Sequence, residues 1–182
     1  APDKNYRLNS GSEHSYANWS MGSTTWGSED GYTHNSTDKF VAYCWQNVEG
    51  MQKFGSYTGN GNNGDPTVGH GLSQAPEFVI LRNRDATASW FVSHPDLSSE
   101  HYLYIQSSGG QNNGATSSGG YITNNHTSSV ITLSSGSSTT NNVNANTDEF
   151  IAYCFHSVDG YSKIGSYSGN GSTDGPFIYT GF

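Results

Sequence analysis

Apolar residues in this 182-residue chain fall into short runs of alternating character, separated by clusters of Gly, Ser, Asn and Pro. Phe40, Ala42 and Cys44 alternate with Val41, Tyr43 and Trp45; both sets are apolar, which predicts a central strand buried on two sides. Val48-Glu49-Gly50 breaks that run and leads to a shorter strand holding Lys53, Phe54 and Tyr57, so the pair reads as a hairpin. Gly59-Asn60-Gly61 admits positive φ cheaply before Pro66 restarts an extended segment, which predicts a surface loop. Further on, Phe78-Val79-Ile80-Leu81 reads as a buried strand leaving through the charged end Arg82-Asn83-Arg84-Asp85. Trp90-Phe91-Val92 and Tyr102-Leu103-Tyr104-Ile105 give two more strands. Tyr121-Ile122 and Val130-Ile131-Thr132-Leu133 are apolar islands in a Ser-, Gly- and Asn-rich stretch, expected as outer strands of a sandwich. No stretch repeats apolar residues at i, i+3, i+4 and i+7, so helix content should be near zero.

The pattern repeats. Residues 37–72 align without a gap on residues 147–182, an offset of 110, and 17 of the 36 positions are identical. Unrelated sequence would give roughly two, so the architecture is read from the repeat first. The copies read TDKFVAYCWQNVEGMQKFGSYTGNGNNGDPTVGHGL and TDEFIAYCFHSVDGYSKIGSYSGNGSTDGPFIYTGF. They are expected to encode the same sandwich half twice, with Tyr43 and Tyr153 in like surroundings and Cys44 and Cys154 as buried free thiols sharing one packing role. The first copy has no counterpart to the strands between Pro76 and about Glu100. Residues 1–74 therefore read as an incomplete first copy and residues 75–182 as a complete second one. Two explanations follow: the chain is a fragment of a longer protein, or the first copy is completed by strands from a neighbouring subunit.

Composition narrows the function. Charged residues make up 12% of the chain and aromatics 13%; disordered chains have the opposite balance, so this one should fold. The net charge is −8, and only 7 Lys and Arg are scattered along the sequence. No basic face can gather phosphates, which argues against nucleic-acid binding. No apolar run approaches the ~20 residues that span a bilayer, and Ala1-Pro2-Asp3-Lys4 does not look like a signal peptide, so no membrane insertion is expected.

FIAYCFHSVDGYSKIGSYSGNGSTDGPFIYTGF and APEFVILRNRD resemble tandem modules in virion proteins of tailed, mainly marine, bacteriophages. In such modules a segment like Pro76-Glu77-Phe78-Val79-Ile80-Leu81-Arg82 starts the unit, and one like Phe150-Ile151-Ala152-Tyr153-Cys154 falls near its end. The resemblance covers the second copy well and the first as a truncated version. It implies a tail-fibre-like or decoration protein of the virion, with a lectin-like or jelly-roll β-sandwich fold.

Candidate chemistry is sparse. Gly59-Asn60-Gly61-Asn62-Asn63-Gly64 matches GxGxxG, but it follows a hairpin and opens no helix, so a dinucleotide site fails on context. Asn62 and Asp65 in one copy, and Asn170 and Asp174 in the other, supply oxygen-rich turns that suit Ca²⁺ or sugar hydroxyls. The plainer reading is that Asn and Asp tolerate turn geometry. Trp19 and Trp26 lie among Gly and Ser, where exposed indoles stack on sugars, although most Trp side chains serve a core. The seven histidines show no HExxH or His-x-His spacing, and two cysteines make no zinc set, so no metal is expected.

The sequence thus points to an all-β, antiparallel sandwich with no catalytic role. Its expected partners are copies of itself, met by strand addition, or other virion proteins, and host-surface glycans. The alternative is a lectin-like carbohydrate-binding domain of a secreted or cell-surface protein.

Overall fold

The computed structural model describes residues 43–62, 64, 66–117, 119–134 and 142–181 in full, together with the backbone of Trp19–Met21 and Trp26–Ser28. Its regular elements there are eleven strands and one 3-10 turn at Gly114–Thr116. Every strand pairing is antiparallel. The all-β class read from the alternating pattern is what these residues adopt. No helix among them is long and apolar enough to cross a membrane.

The chain divides into two compact units, Ala1–Trp45 and Gln46–Phe182. In the first, β1 (Trp19–Met21) pairs with β2 (Trp26–Ser28), with Trp19 opposite Ser28 and Met21 opposite Trp26. Tyr43 and Trp45 stack on each other at 6.1 Å, yet both are exposed, Tyr43 at 76%. Residues 43–47 join no ladder, so this part of the first copy is not the doubly buried central strand expected.

Among its described residues the second unit carries two sheets. One has six strands in the order β3-β11-β5-β6-β7-β8 and the other three in the order β4-β10-β9. The strands are β3 (Gln52–Thr58), β4 (Thr67–Gly69), β5 (Phe78–Asn83), β6 (Phe91–Ser93), β7 (His101–Tyr104), β8 (Asn112–Asn113), β9 (Tyr121–Ile122), β10 (Val130–Ser134) and β11 (Glu149–Phe155). Side chains on a strand alternate between faces, and the burial follows: Val79 and Leu81 of β5, Ile131 and Leu133 of β10, and Ala152 and Cys154 of β11 are buried while their neighbours are not. These residues form one cluster with Leu72, Phe91, Tyr102, Tyr121, Ile122 and Val143, so both sheets share a single core. Fully burying a Leu, Ile or Phe is worth about 1.5–3 kcal/mol, and this cluster is the main source of stability in the unit.

Two expectations change here. β3 does follow the turn at Val48-Glu49-Gly50, but among the described residues its only pairing with what precedes it is the bridge Val48↔Gln52. Its full-length neighbour is β11, from the second copy, with Tyr57 opposite Phe150 and Phe54 opposite Tyr153. The hairpin is therefore a turn whose second arm leaves for another strand. Cys154 is buried in the core, and burial pushes its thiol up to about 12. Its repeat-mate Cys44 is exposed, so the shared packing role is not met.

Candidate functional site

The most built feature of the molecule is the junction where residues 52–69 close the edges of both sheets. β3 is the outer strand of the six-stranded sheet and β4 the outer strand of the three-stranded one. We call this segment the arm. The repeat alignment assigns the arm to the first copy, whereas the compact unit that contains it begins at Gln46. The stretch 37–72 of that alignment thus supplies the edge strands β3 and β4 to sheets whose other strands lie between residues 78 and 155.

Side chains fix that placement. Tyr57 stacks on Phe150 with ring centroids 4.9 Å apart and planes within 9°, and its hydroxyl donates to the Val143 carbonyl at 2.7 Å. Burial holds that phenol protonated, well above its ordinary range. Phe54 lies against Tyr153 and Phe155 at 5.7 and 5.5 Å, and Phe155 continues the row to Phe78 at 5.9 Å. These four half-buried rings lie on strand positions that alternate with the core residues.

Beyond β3 the loop locks onto residues 143–148. The Gly59 N–H donates to the Asp148 carbonyl at 2.8 Å, and the Thr147 N–H donates to the Gly59 carbonyl at 3.0 Å. Asn60 and the buried Asn144 interlock: the Asn60 N–H donates to Asn144 Oδ1 at 3.1 Å, and Asn144 Nδ2 donates back to Asn60 Oδ1 at 2.8 Å. Gly61, at φ 64°, donates its N–H to the Asn144 carbonyl at 3.0 Å. Sequence reading saw this loop as a surface turn and missed that it docks.

The second copy carries the same turn. Val158↔Ser162 repeats the bridge Val48↔Gln52, and Gly160 repeats the positive φ of Gly50, 77° against 74°. The Ile164 N–H donates to Ser157 Oγ at 3.0 Å where the Phe54 N–H donates to Asn47 Oδ1 at 2.8 Å. Past that point the two copies diverge. Residues 163–170 form no strand, and Tyr167, the counterpart of Tyr57, is 68% exposed.

The sequence-predicted site residues fall in separate elements. Trp19 and Trp26 stand on β1 and β2, in the other unit, and Asp65 lies outside the described residues. The Asn62 N–H donates to Asn60 Oδ1 at 3.0 Å in a tight turn. Asn170 does the same work in its own loop, with Oδ1 accepting from the Ser172 N–H at 2.9 Å and Nδ2 donating to the Gly175 carbonyl at 2.8 Å. Asp174 is exposed, with its N–H bonded to Ser172 Oγ at 3.3 Å. The amides serve turn geometry, and among the described residues no group of three or more His, Cys, Asp and Glu could hold a metal ion.

One Ser-His contact merits a chemical check. His126 Nε2 lies 3.0 Å from Ser93 Oγ, but His126 Nδ1 accepts the Thr132 N–H at 3.2 Å. The proton of a neutral imidazole then sits on Nε2, which points a donor at Ser93 and leaves no base for it. Ser93 donates instead to the Thr123 carbonyl at 2.6 Å. Burial, with a smaller effect from nearby His70, lowers His126 to about 4. The pair is a structural clasp rather than an activated nucleophile.

A single family model matches the chain twice, over residues 3–66 and residues 61–182; it is described as a domain of unknown function, DUF7483. The chain belongs to the DUF7483 family. The first DUF7483 match contains β3, while every other strand of the six-stranded sheet falls in the second. The arm therefore crosses from one family match into the other. No curated protein and no solved structure matches the chain.

Proposed function

We propose that this chain is a non-catalytic structural module of a phage virion, fibre-like or surface-decorating, that acts in assembly and contacts the host surface. The observation that carries the reading is the arm, whose strands β3 and β4 form one edge of each sheet; we read it as part of the stretch 37–72 that recurs at 147–182, passed from one copy to the next. A strand passed between copies joins modules through backbone hydrogen bonds and a shared core, not through a loose tether. Joined head to tail, such modules generate extended assemblies. We read the two sheets over one core as an antiparallel sandwich of jelly-roll or lectin-like type. The virion location comes from the resemblance to tandem phage modules, and the partners it implies are copies of this module, other virion proteins and host glycans.

The second reading, a lectin-like carbohydrate-binding domain, is favoured by the row Phe54, Tyr153, Phe155 and Phe78, since half-buried aromatic faces stack on sugar rings. Immunogold labelling with antibody against the chain tests the first: gold on tails or capsids of purified particles supports it. Unlabelled particles, together with saturable binding on a glycan array, favour the lectin.

A further inference from the structure

Residues 162–179 are a second edition of the arm. They align with residues 52–69 and keep Lys163, Gly165, Ser166 and Tyr167 where β3 has Lys53, Gly55, Ser56 and Tyr57. Beyond the bridge at Ser162, no residue from 163 to 181 joins a ladder. We propose that this segment is the donor arm for another copy of the module, adding 162–168 beside that copy's counterpart of β11 and 177–179 beside its counterpart of β10. The proposal rests on the reading of the chain as an assembly module and names the partner and the register of the joint.

Glycine gives the sharpest argument. Gly59 has no positive φ; it is small because a β-carbon there would lie 2.0 Å from the Ala145 carbonyl oxygen and 2.9 Å from the Ala145 carbonyl carbon. Only a residue without a side chain permits that approach. Gly169 occupies the equivalent place, also without a positive φ, and a β-carbon there would meet nothing within 4 Å. Among the described residues none uses its smallness. A docking surface like residues 143–148 of another copy would.

The exposed side chains agree. Tyr57 is packed on Phe150 and Val68 against the core, whereas their counterparts Tyr167 and Ile178 are 68% and 48% exposed. Phe177 and Tyr179, at 94% and 84%, flank Ile178 in solvent. The hydrogen bond from Ser166 Oγ to Asp96 Oδ2, 2.5 Å, rests the segment on the body without inserting it. An apolar segment held open beside a preformed turn is a binding element, since monomeric proteins rarely leave such patches uncovered. Its occupant is read from this molecule, because a segment identical to it at 8 of 18 positions is seated 110 residues earlier on a sheet of this module.

The test extends the intact chain by appending a second copy of residues 73–182 after Phe182. Hydrogen exchange should then slow at alternate amides of 162–168 by about a thousandfold or more relative to the unextended chain. Tyr167→Ala and Gly169→Ala should each lower the unfolding midpoint of the appended body alone, and neither should alter the unextended chain. An appended body that stays unfolded, or one that folds while 162–168 exchange freely, overturns the proposal. So does an appended body indifferent to both substitutions. Since these readouts use no virion, failure here leaves the immunogold result standing, and the reverse also holds.

Discussion

Gly59 and Ala145 approach so closely that a β-carbon on Gly59 would lie 2.0 Å from the Ala145 carbonyl oxygen. A methyl group cannot be fitted there without moving backbone, and overpacking of this kind costs about 1–3 kcal/mol. Gly59→Ala should therefore lower the thermal midpoint of the second unit by about 3–10 °C. Gly169→Ala, in open space, should leave it unchanged within about 0.5 kcal/mol. Calorimetry of both variants checks the contrast.

Tyr57 supplies both a ring and a hydroxyl to the junction. Tyr57→Phe removes only the bond to the Val143 carbonyl and should cost about 1 kcal/mol. Tyr57→Ala also empties the stack on Phe150 and should cost about 3–5 kcal/mol. Urea unfolding curves at constant m-value measure both.

The two thiols should separate cleanly. Cys44 is exposed, while Cys154 is buried with its thiol pushed up to about 12; the thiolate is the reactive form. A thiol reagent at pH 8 should label Cys44 rapidly and Cys154 only under denaturant, as read by mass spectrometry of the peptides.

Much of the fold was legible. The short apolar runs Phe78-Val79-Ile80-Leu81 and Val130-Ile131-Thr132-Leu133 gave β5 and β10 because a run of that length bounded by polar and turn residues is a property of the local chain. What the local chain does not encode is which strand stands beside which. Phe54 and Tyr57 identify β3 as a strand, but its partner Phe150 is remote in sequence, and only the packed rings select it. Cys44 and Tyr43 match Cys154 and Tyr153 by residue type, yet burial belongs to the neighbours, and the first copy lacks the flanking segment that becomes β5. The candidate site was not legible: Gly59 and Gly169 were read as turn glycines that admit positive φ, and only the structure, where neither has one, shows that Gly59 is small because of a close approach. The polar residues chosen as ligands, Asn62, Asn170 and Asp174, lie in turns because short amides and carboxylates stabilise turns.

Acid should weaken the fold through His126. Its folded value lies near 4, below the ordinary 6.5, because burial disfavours the imidazolium. Between those values the unfolded chain binds the extra proton, so the contribution is complete above pH 6.5 and is lost as the pH falls toward 4. The span is about 2.5 pH units at about 1.4 kcal/mol each, or about 3 kcal/mol in all. Unfolding midpoints from pH 7 to pH 4 should fall less steeply in His126→Asn than in the native chain. Equal slopes would show that His126 does not titrate as described.

The claim on which the rest stands is that a strand from one copy closes the sheet of the next while its repeat-mate stays open. Native-state hydrogen exchange on the intact chain measures it directly, residue by residue. The β3 amides facing β11 should exchange only through global unfolding of the second unit, and amides of 165–168 should exchange near the rate of an unstructured peptide. Equal, rapid exchange in both segments would mean that the arm is not part of the sheet, and would contradict the account.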